Sequence, residues 1–136
     1  MAQVTFRGTP CNTNGEPPKP GAQAPDFQLS GSDLSVVSLD TYAGKKKIIN
    51  IVPSLDTGVC ATSTRKFNAE ATKLSDTVVL VVSADLPFAQ QRFCGAESME
   101  ENVKTLSMMR DRNFARDYGV LITDGPVAGL AARAVV

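Results

Sequence analysis

A cysteine at the start of a predicted helix is the residue of this sequence best placed to do chemistry. Cys60 closes the stretch PSLDTGVC, which follows the apolar run Ile48–Val52 and precedes a helix-compatible run up to Leu74. This order is typical of a buried strand, a tight loop and a helix. If Thr57 caps the helix, Cys60 lies in the first turn, where free N–H groups and the helix dipole stabilise a thiolate. A free thiol has a pKa of about 8.5 and helix N-termini lower it. We therefore interpret Cys60 as a nucleophile, and not as the small core residue that a free cysteine often is.

Two residues before Cys60 each have a structural and a chemical interpretation. Thr57 caps the helix in the first, and in the second its hydroxyl also hydrogen-bonds the sulfur or the oxygen that the sulfur attacks. Pro53 ends the strand because it has no N–H for a neighbouring strand. In the chemical interpretation, Pro53 also shields the thiolate from water.

An arginine lies in the apolar segment near the end of the sequence. Strand alternation would place Arg133 on one face with Ala131 and Val135. A guanidinium in such surroundings is costly unless it meets an anion. A buried Asp or Glu and the Cys60 thiolate both satisfy this requirement, and the residues alone leave the two alternatives open.

A second cysteine lies near the predicted end of a short helix that begins at Pro87. Cys94 alone would be called structural, but beside a reactive Cys60 it is a candidate resolving thiol, one that forms a disulfide with oxidised Cys60. A disulfide needs a Cα–Cα distance of roughly 4.4–6.8 Å, which two helix ends across a compact domain would not meet. We expect the bond to require local unfolding, above all of the short helix. Cys11, in the N-terminal hairpin, has no context that supports reactivity, and we interpret it as a structural residue.

Composition excludes several classes of mechanism. The 136 residues suggest one domain, and Lys+Arg and Asp+Glu number 14 each, which argues against a nucleic-acid binder. The absence of histidine excludes Cys-His and Ser-His-Asp catalysis and histidine-ligated zinc. No nucleotide-binding motif, C-x-x-C pair, membrane-spanning run or signal peptide is visible, so we expect no cofactor, no metal and an intracellular location.

The predicted elements alternate between strands and helices. Continuous apolar strands at Ile48–Val52 and Thr77–Ser83 on either side of a helix predict a parallel pair with a crossover. Residues 3–12 alternate loosely, and Asn14-Gly15 predicts a hairpin turn at 13–16. The remaining predictions are strands at 26–29, 36–39, 103–106 and 130–136, a helical turn at 40–44, and helices from Pro87 to about Cys94 and over 111–118, the last closed by Gly119.

Three separated motifs resemble those of a known family. Residues 53–60 resemble the P-x-x-x-T-x-x-C signature of peroxiredoxins. The segments DLPFA (85–89) with RFCG (92–95), and GLAAR (129–133), resemble the thiol peroxidases, the atypical two-cysteine bacterial peroxiredoxins. The resemblance implies an α/β, thioredoxin-like fold, with a central mixed sheet flanked by helices and an N-terminal β-hairpin. It also implies that family members continue through a further strand and helix, which a single domain over residues 1–136 would lack.

The resemblance implies a function and a role for each candidate residue. Cys60 would be the peroxidatic cysteine and Cys94 the resolving one, with Thr57, Arg133 and Pro53 completing the pocket. The chain would be an antioxidant enzyme that reduces hydrogen peroxide and alkyl hydroperoxides through a sulfenic acid and an intramolecular disulfide. Thioredoxin would recycle it, in the bacterial cytoplasm, as a homodimer and without a cofactor. The alternative is a redox sensor or a non-catalytic thioredoxin-like binding module, which would become oxidised without turnover.

Overall fold

From residue 46 onward, strands and helices alternate along the chain, as the apolar pattern predicts. The computed structural model describes the backbone of residues 2–56, 58–71, 73, 76–97 and 103–136, without side chains for residues 58–61, 68, 71 and 94–97. The strands in these ranges are β1 (Gln3–Phe6), β2 (Thr9–Asn12), β3 (Leu29–Gly31), β4 (Val36–Val37), β5 (Lys46–Ile51), β6 (Thr77–Ser83), β7 (Val103–Ser107) and β8 (Ala134–Val135). The helices are α1 (Gly58–Ala71), α2 (Pro87–Glu97) and α3 (Phe114–Asp117), with a 3-10 helix at Leu39–Tyr42.

One mixed sheet contains strands β3 to β8, in the order β4-β3-β7-β6-β5-β8. The central strands β5, β6 and β7 are parallel, whereas β3, β4 and β8 are antiparallel to their neighbours. The predicted parallel pair joined by a helix is therefore confirmed as β5, α1 and β6. Because β5 and β6 are parallel, their carboxyl ends meet at one edge of the sheet, where loops carry function in α/β proteins.

The central strand β6 is buried on both faces, as its continuous apolar run predicts. Its even-numbered residues, such as Leu80, belong to a core cluster with Phe27, Phe114 and Tyr118. Its odd-numbered Val79 and Val81 belong to a second cluster, against which Phe67 of α1 and Phe93 of α2 pack. The sheet thus separates two apolar layers, and α1 and α2 pack on the same face.

The predicted hairpin is confirmed, but its turn lies elsewhere. Strands β1 and β2 pair antiparallel around Arg7-Gly8, with both residues at positive φ, as a two-residue hairpin loop requires. The Asn14-Gly15 prediction was wrong because tertiary contacts hold this dipeptide. The Asn14 side chain donates to Arg116 O, and Leu121 N donates to Asn14 Oδ1.

Several predicted boundaries need correction. Strand β3 begins only at Leu29, and β4 stops at Val37 because the 3-10 helix starts two residues later. Helix α2 continues to Glu97, so Cys94 lies within the helix and Gly95 does not end it. Helix α3 is limited to Phe114–Asp117, after which Gly119 adopts the predicted positive φ.

The predicted strand over 130–136 was wrong in extent, because this segment changes partner midway. Ala132 N donates to Val120 O, in a short pairing with the preceding segment. Val136 then exchanges two hydrogen bonds with Ile49, as β8 pairs with β5. Arg133 lies at the change of partner, where the expected alternation fails: Ala131 is buried, whereas Arg133 and Val135 are both exposed.

Candidate active site

The loop after β5 leads directly into the helix that carries Cys60. Strand β5 ends at Ile51 and α1 begins at Gly58, so Cys60 is the third helical residue, as predicted. A backbone position in the first turn has free N–H groups nearby and lies at the positive end of the helix dipole. Thr57 and the side chain of Cys60 lie outside the described residues, so the cap and the thiol geometry stay predictions.

Pro53 and Arg133 lie at the same end of the sheet. Pro53 is partly buried and follows β5. Ile51 of β5 pairs with Ala134 of β8, which places the backbone of Arg133 beside the carboxyl end of β5. Arg133 is exposed, so the buried position expected for its guanidinium is wrong, and its pairing with a carboxylate or with the thiolate stays a prediction. The fold brings the two candidate residues to one edge, and their catalytic roles stay predictions.

A carboxylate that sequence reasoning gave no role holds the loop before α1. Asp85 follows β6, and its Oδ1 accepts a hydrogen bond of 2.7 Å from Ser54 Oγ. Its Oδ2 accepts one of 2.7 Å from the Leu55 backbone N–H and one of 2.8 Å from Ser83 Oγ. Ser54 Oγ in turn accepts from the N–H of Asp56, at 3.1 Å. Bonds to an ionised acceptor are among the stronger ones in proteins, so Asp85 fixes the loop in a defined conformation.

The same network extends to α2. Ser83 Oγ also accepts a hydrogen bond of 3.0 Å from Gln90 Nε2 in α2. The second amide hydrogen of Gln90 is donated to Leu106 O in β7, at 2.9 Å. Ser83 and Gln90 are both fully buried, and Ser107 Oγ donates to Asp85 O from the next strand. We call Ser54, Ser83, Asp85 and Gln90 the Asp85 network.

A signal for this network is present in the sequence. Ser83 and Asp85 end a continuous apolar strand, as Pro53 and Ser54 do, and parallel strands end at the same edge. Polar residues at that point of two neighbouring strands predict side chains that lie close together. Gln90 gives no such signal, because a glutamine in a short helix is most often exposed.

The structure describes the side chain of Cys11 but not that of Cys94. Cys94 lies in the last turn of α2, and its side chain is outside the described residues. Cys11 has a free thiol and is 3% exposed in the core cluster that contains Phe27. This agrees with the interpretation of Cys11 as a packing residue.

Within the described ranges, two further properties bear on the chemistry. No helix there is long and apolar enough to cross a bilayer. No group of three or more Cys, Asp or Glu residues is arranged to hold a metal ion in the same ranges. The N-terminus of α1, the loop held by Asp85 and the backbone of Arg133 thus lie together at the carboxyl end of β5. This environment favours a reactive thiolate.

Comparisons with known proteins agree with this arrangement. The redoxin family profile matches residues 19–136. Thiol peroxidases of Mycobacterium bovis and Mycobacterium tuberculosis are 57% identical over 136 residues, which is 100% of this chain and 81% of theirs. A peroxiredoxin-like protein from Aquifex aeolicus superposes with a TM-score of 0.91 at 39% identity, over 99% of this chain and 78% of that protein.

A more distant structure supports the fold alone. A thiol peroxidase from Chromobacterium violaceum gives a TM-score of 0.87 at 24% identity, over 98% of this chain and 77% of that protein. The expected thioredoxin-like fold, with its mixed sheet and N-terminal hairpin, is confirmed. The chain therefore belongs to the redoxin family and, within it, to the thiol peroxidases, enzymes that reduce peroxides at the expense of a thiol.

Proposed function

We propose that this enzyme reduces hydrogen peroxide and alkyl hydroperoxides with Cys60 as its nucleophile. The observation that carries the proposal is the position of Cys60 as the third residue of α1, at the carboxyl edge of the parallel strands. The Cys60 thiolate attacks one oxygen of the substrate, the O–O bond breaks, and the other oxygen takes up a proton from solvent and leaves as water or an alcohol. Cys60 is oxidised to a sulfenic acid in this step.

Arg133 and Thr57 would orient the two oxygens and stabilise the negative charge on the one that leaves. Donors fixed in advance around developing charge are among the largest contributions to catalysis. The position of the Arg133 backbone beside the end of β5 supports this role, as does its exposure to an incoming substrate. Pro53, partly buried at the end of the same strand, would limit the access of water to the sulfur.

Cys94 would resolve the sulfenic acid. Its thiol condenses with the Cys60 sulfenic acid, so that an S–S bond forms and water leaves. Thioredoxin would then reduce this disulfide with its own two thiols. The enzyme would act in the bacterial cytoplasm as a homodimer, and Leu86 and Phe88, which are 54% and 62% exposed, offer an apolar surface for a second copy.

A coupled assay tests these steps. Peroxide consumption is measured with thioredoxin, thioredoxin reductase and NADPH, for the unmodified protein and for Cys60→Ser, Cys94→Ser and Cys11→Ser. We expect loss of turnover for the first two variants and an unchanged rate for the third, since Cys11 is a buried packing residue. Mass mapping after one equivalent of peroxide should find Cys60 joined to Cys94.

Two outcomes would contradict the proposal. Thioredoxin-dependent turnover that survives Cys94→Ser would remove the intramolecular disulfide from the cycle. Oxidation of Cys60 without repeated turnover would instead favour the redox-sensor alternative.

A further inference from the structure

We infer that the Asp85 network couples helix α2 to the loop that leads into α1, so that the two loosen together. The network joins the elements that carry the two candidate redox cysteines, through atoms that belong to neither cysteine. Its role in the reaction rests on the proposed function of Cys60 and Cys94. The physical link itself rests on the hydrogen bonds of residues 54, 55, 83, 85 and 90.

Ser83 connects Gln90 of α2 to Asp85. Its hydroxyl has one hydrogen, which it donates to Asp85 Oδ2, and it accepts from Gln90 Nε2. Ser83 is fully buried, so water cannot replace a lost partner without local opening. Ser83 Oγ also accepts from the Asp85 backbone N–H, but this bond is longer, at 3.4 Å. Withdrawal of Gln90 would remove the shorter of the two accepted bonds and weaken the hold of the hydroxyl on Asp85, since hydrogen bonds in such chains strengthen one another.

Gln90 attaches α2 to the strands β6 and β7. Gln90 is fully buried, and both of its amide hydrogens are used, one by Ser83 and one by Leu106 O. Its Oε1 has no hydrogen-bond partner in the part of the chain that the structure describes. A buried amide with one unsatisfied atom holds a helix less firmly than a fully satisfied one. Cys94 follows Gln90 by one helical turn, so opening of this turn is the motion that the resolving step requires.

Asp85 extends the network to the loop before α1. The Asp85 carboxylate accepts from the Leu55 N–H and the Ser54 hydroxyl, both in the loop that precedes Gly58. When Asp85 loses its support from Ser83, this loop loses part of its anchor. Opening of α2 therefore favours fraying of the first turn of α1. Gln90, Ser83 and Asp85 are positioning residues, since none of them needs to touch the peroxide.

Hydrogen exchange of the reduced protein tests the coupling without any peroxide. Gln90→Leu removes the amide donor, and Gln91→Leu, at the exposed neighbouring position, is the matched control. Gln90→Leu removes the two hydrogen bonds to Ser83 Oγ and Leu106 O, so we expect exchange to rise about fivefold or more, both in residues 87–97 and in residues 54–60. Exchange in β6, which reports global unfolding, should stay unchanged, and Gln91→Leu should leave residues 54–60 at the wild-type rate.

A second variant covers the case in which Gln90→Leu does not fold. Ser83→Ala removes only the bridging hydroxyl, and it should raise exchange in the same two segments. An increase confined to residues 87–97, for whichever variant folds, would overturn the coupling. So would an equal increase in β6, because the effect would then be global.

The reaction that consumes the Cys60 sulfenic acid provides a second measurement, which would not change if the Asp85 network were purely structural. The sulfenic acid either condenses with Cys94 or reacts with a second peroxide to give a sulfinic acid and an alcohol or water. If α2 opens more readily, Gln90→Leu should yield several-fold less sulfinic acid per turnover than wild type and Gln91→Leu. An unchanged yield despite faster exchange in both segments would contradict the role in the reaction. Loss of turnover in Cys60→Ser and Cys94→Ser tests the proposed function separately.

Discussion

Arg133 lies where the chain leaves its pairing with the segment around Val120 and joins β5. Its guanidinium group is exposed at an edge and does not need a buried anion. An exposed arginine contributes little to stability, so its removal should be seen mainly in the rate of the reaction.

We predict that Arg133→Ala slows peroxide reduction by about a hundredfold or more, as for loss of one fixed donor in an active site. The free energy of unfolding should change by less than about 0.5 kcal/mol. Stopped-flow oxidation of Cys60 and urea unfolding measure the two effects. Arg110→Ala, at another exposed position, is the control and should keep the wild-type rate. A wild-type rate for Arg133→Ala would mean that this arginine takes no part in the reaction.

Tyr118 is a buried residue with a pH-dependent contribution to stability. Its ring stacks on Phe114 at 4.4 Å between centroids, and its hydroxyl donates to Pro25 O at 2.7 Å. Burial, with a smaller contribution from the nearby Asp26 carboxylate, raises the pKa of Tyr118 to about 12. Because the unfolded phenol ionises near pH 10, the stabilisation is complete below that pH and is lost as the pH rises towards 12.

We predict that Tyr118→Phe lowers the free energy of unfolding by about 1 kcal/mol at pH 8, the usual net contribution of one hydrogen bond. Above pH 10, ionisation of Tyr118 stabilises the unfolded state of the wild type but not that of the variant. The gap in free energy of unfolding between the two proteins should therefore narrow and close. Urea unfolding at several pH values between 8 and 11 tests this. A gap that stays constant over this range would show that Tyr118 ionises equally in both states.

At the scale of elements, the predicted and observed structures differ where distant contacts act. The start of α1 was predictable, because a proline, a polar loop and an apolar helix face are local signals. The change of partner at Arg133 was not, since it depends on which strand lies nearby. Asn14-Gly15 carries a strong turn signal, yet contacts with Arg116 and Leu121 override it.

The placement of the candidate residues was predictable to the same extent. The backbone positions of Cys60 and Pro53 follow from the order of strand, loop and helix. The role of Gln90 was not, because it depends on a hydroxyl in β6 and a carbonyl in β7.

The turn after α3 depends on a glycine for two reasons. Gly119 has a φ of +71°, and a Cβ there would collide with the carbonyl group of Glu16. Gly44 has a similar φ of +84°, with nothing within 4 Å of an added Cβ. Substitution of Gly44 therefore measures the cost of the backbone conformation alone, and substitution of Gly119 measures this cost together with that of a steric clash.

We predict that Gly44→Ala costs about 1–2 kcal/mol, the usual penalty of a left-handed residue. Gly119→Ala should cost more than about 3 kcal/mol, because residue 16 must also move. Thermal or urea unfolding of both variants measures the loss in free energy of unfolding for each. Equal losses would mean that the segment around Glu16 yields at no cost.

At the scale of the whole molecule, β6 connects the two apolar layers. Each of its seven residues is buried, and it pairs with β5 on one side and β7 on the other. A destabilising substitution in β6 therefore affects both apolar layers, whereas β8 lies at the edge of the sheet and pairs there with β5.

We predict that Val81→Ala lowers the free energy of unfolding by about 2–3 kcal/mol, from two lost methyl groups and the cavity that they leave. Val135→Ala, at a position that is 56% exposed, should cost less than about 0.5 kcal/mol. Urea unfolding compares the two. A similar cost at both positions would contradict the central role of β6.

The pairing of β3 with β7 has a consequence for how the chain folds as it leaves the ribosome. Ser30 has its partner in Ser107, and Asn12 is held by Asp124, so the first strands have no lasting partners until much later residues have been synthesised. Isolated two-stranded hairpins such as β1–β2 and β3–β4 are marginal in water. Sheets that depend on such distant pairings form slowly. Before β7 has been synthesised, β3 and the apolar strand β6 therefore lack the strand that lies between them in the sheet. We expect a holding chaperone to bind the nascent chain most strongly at this stage.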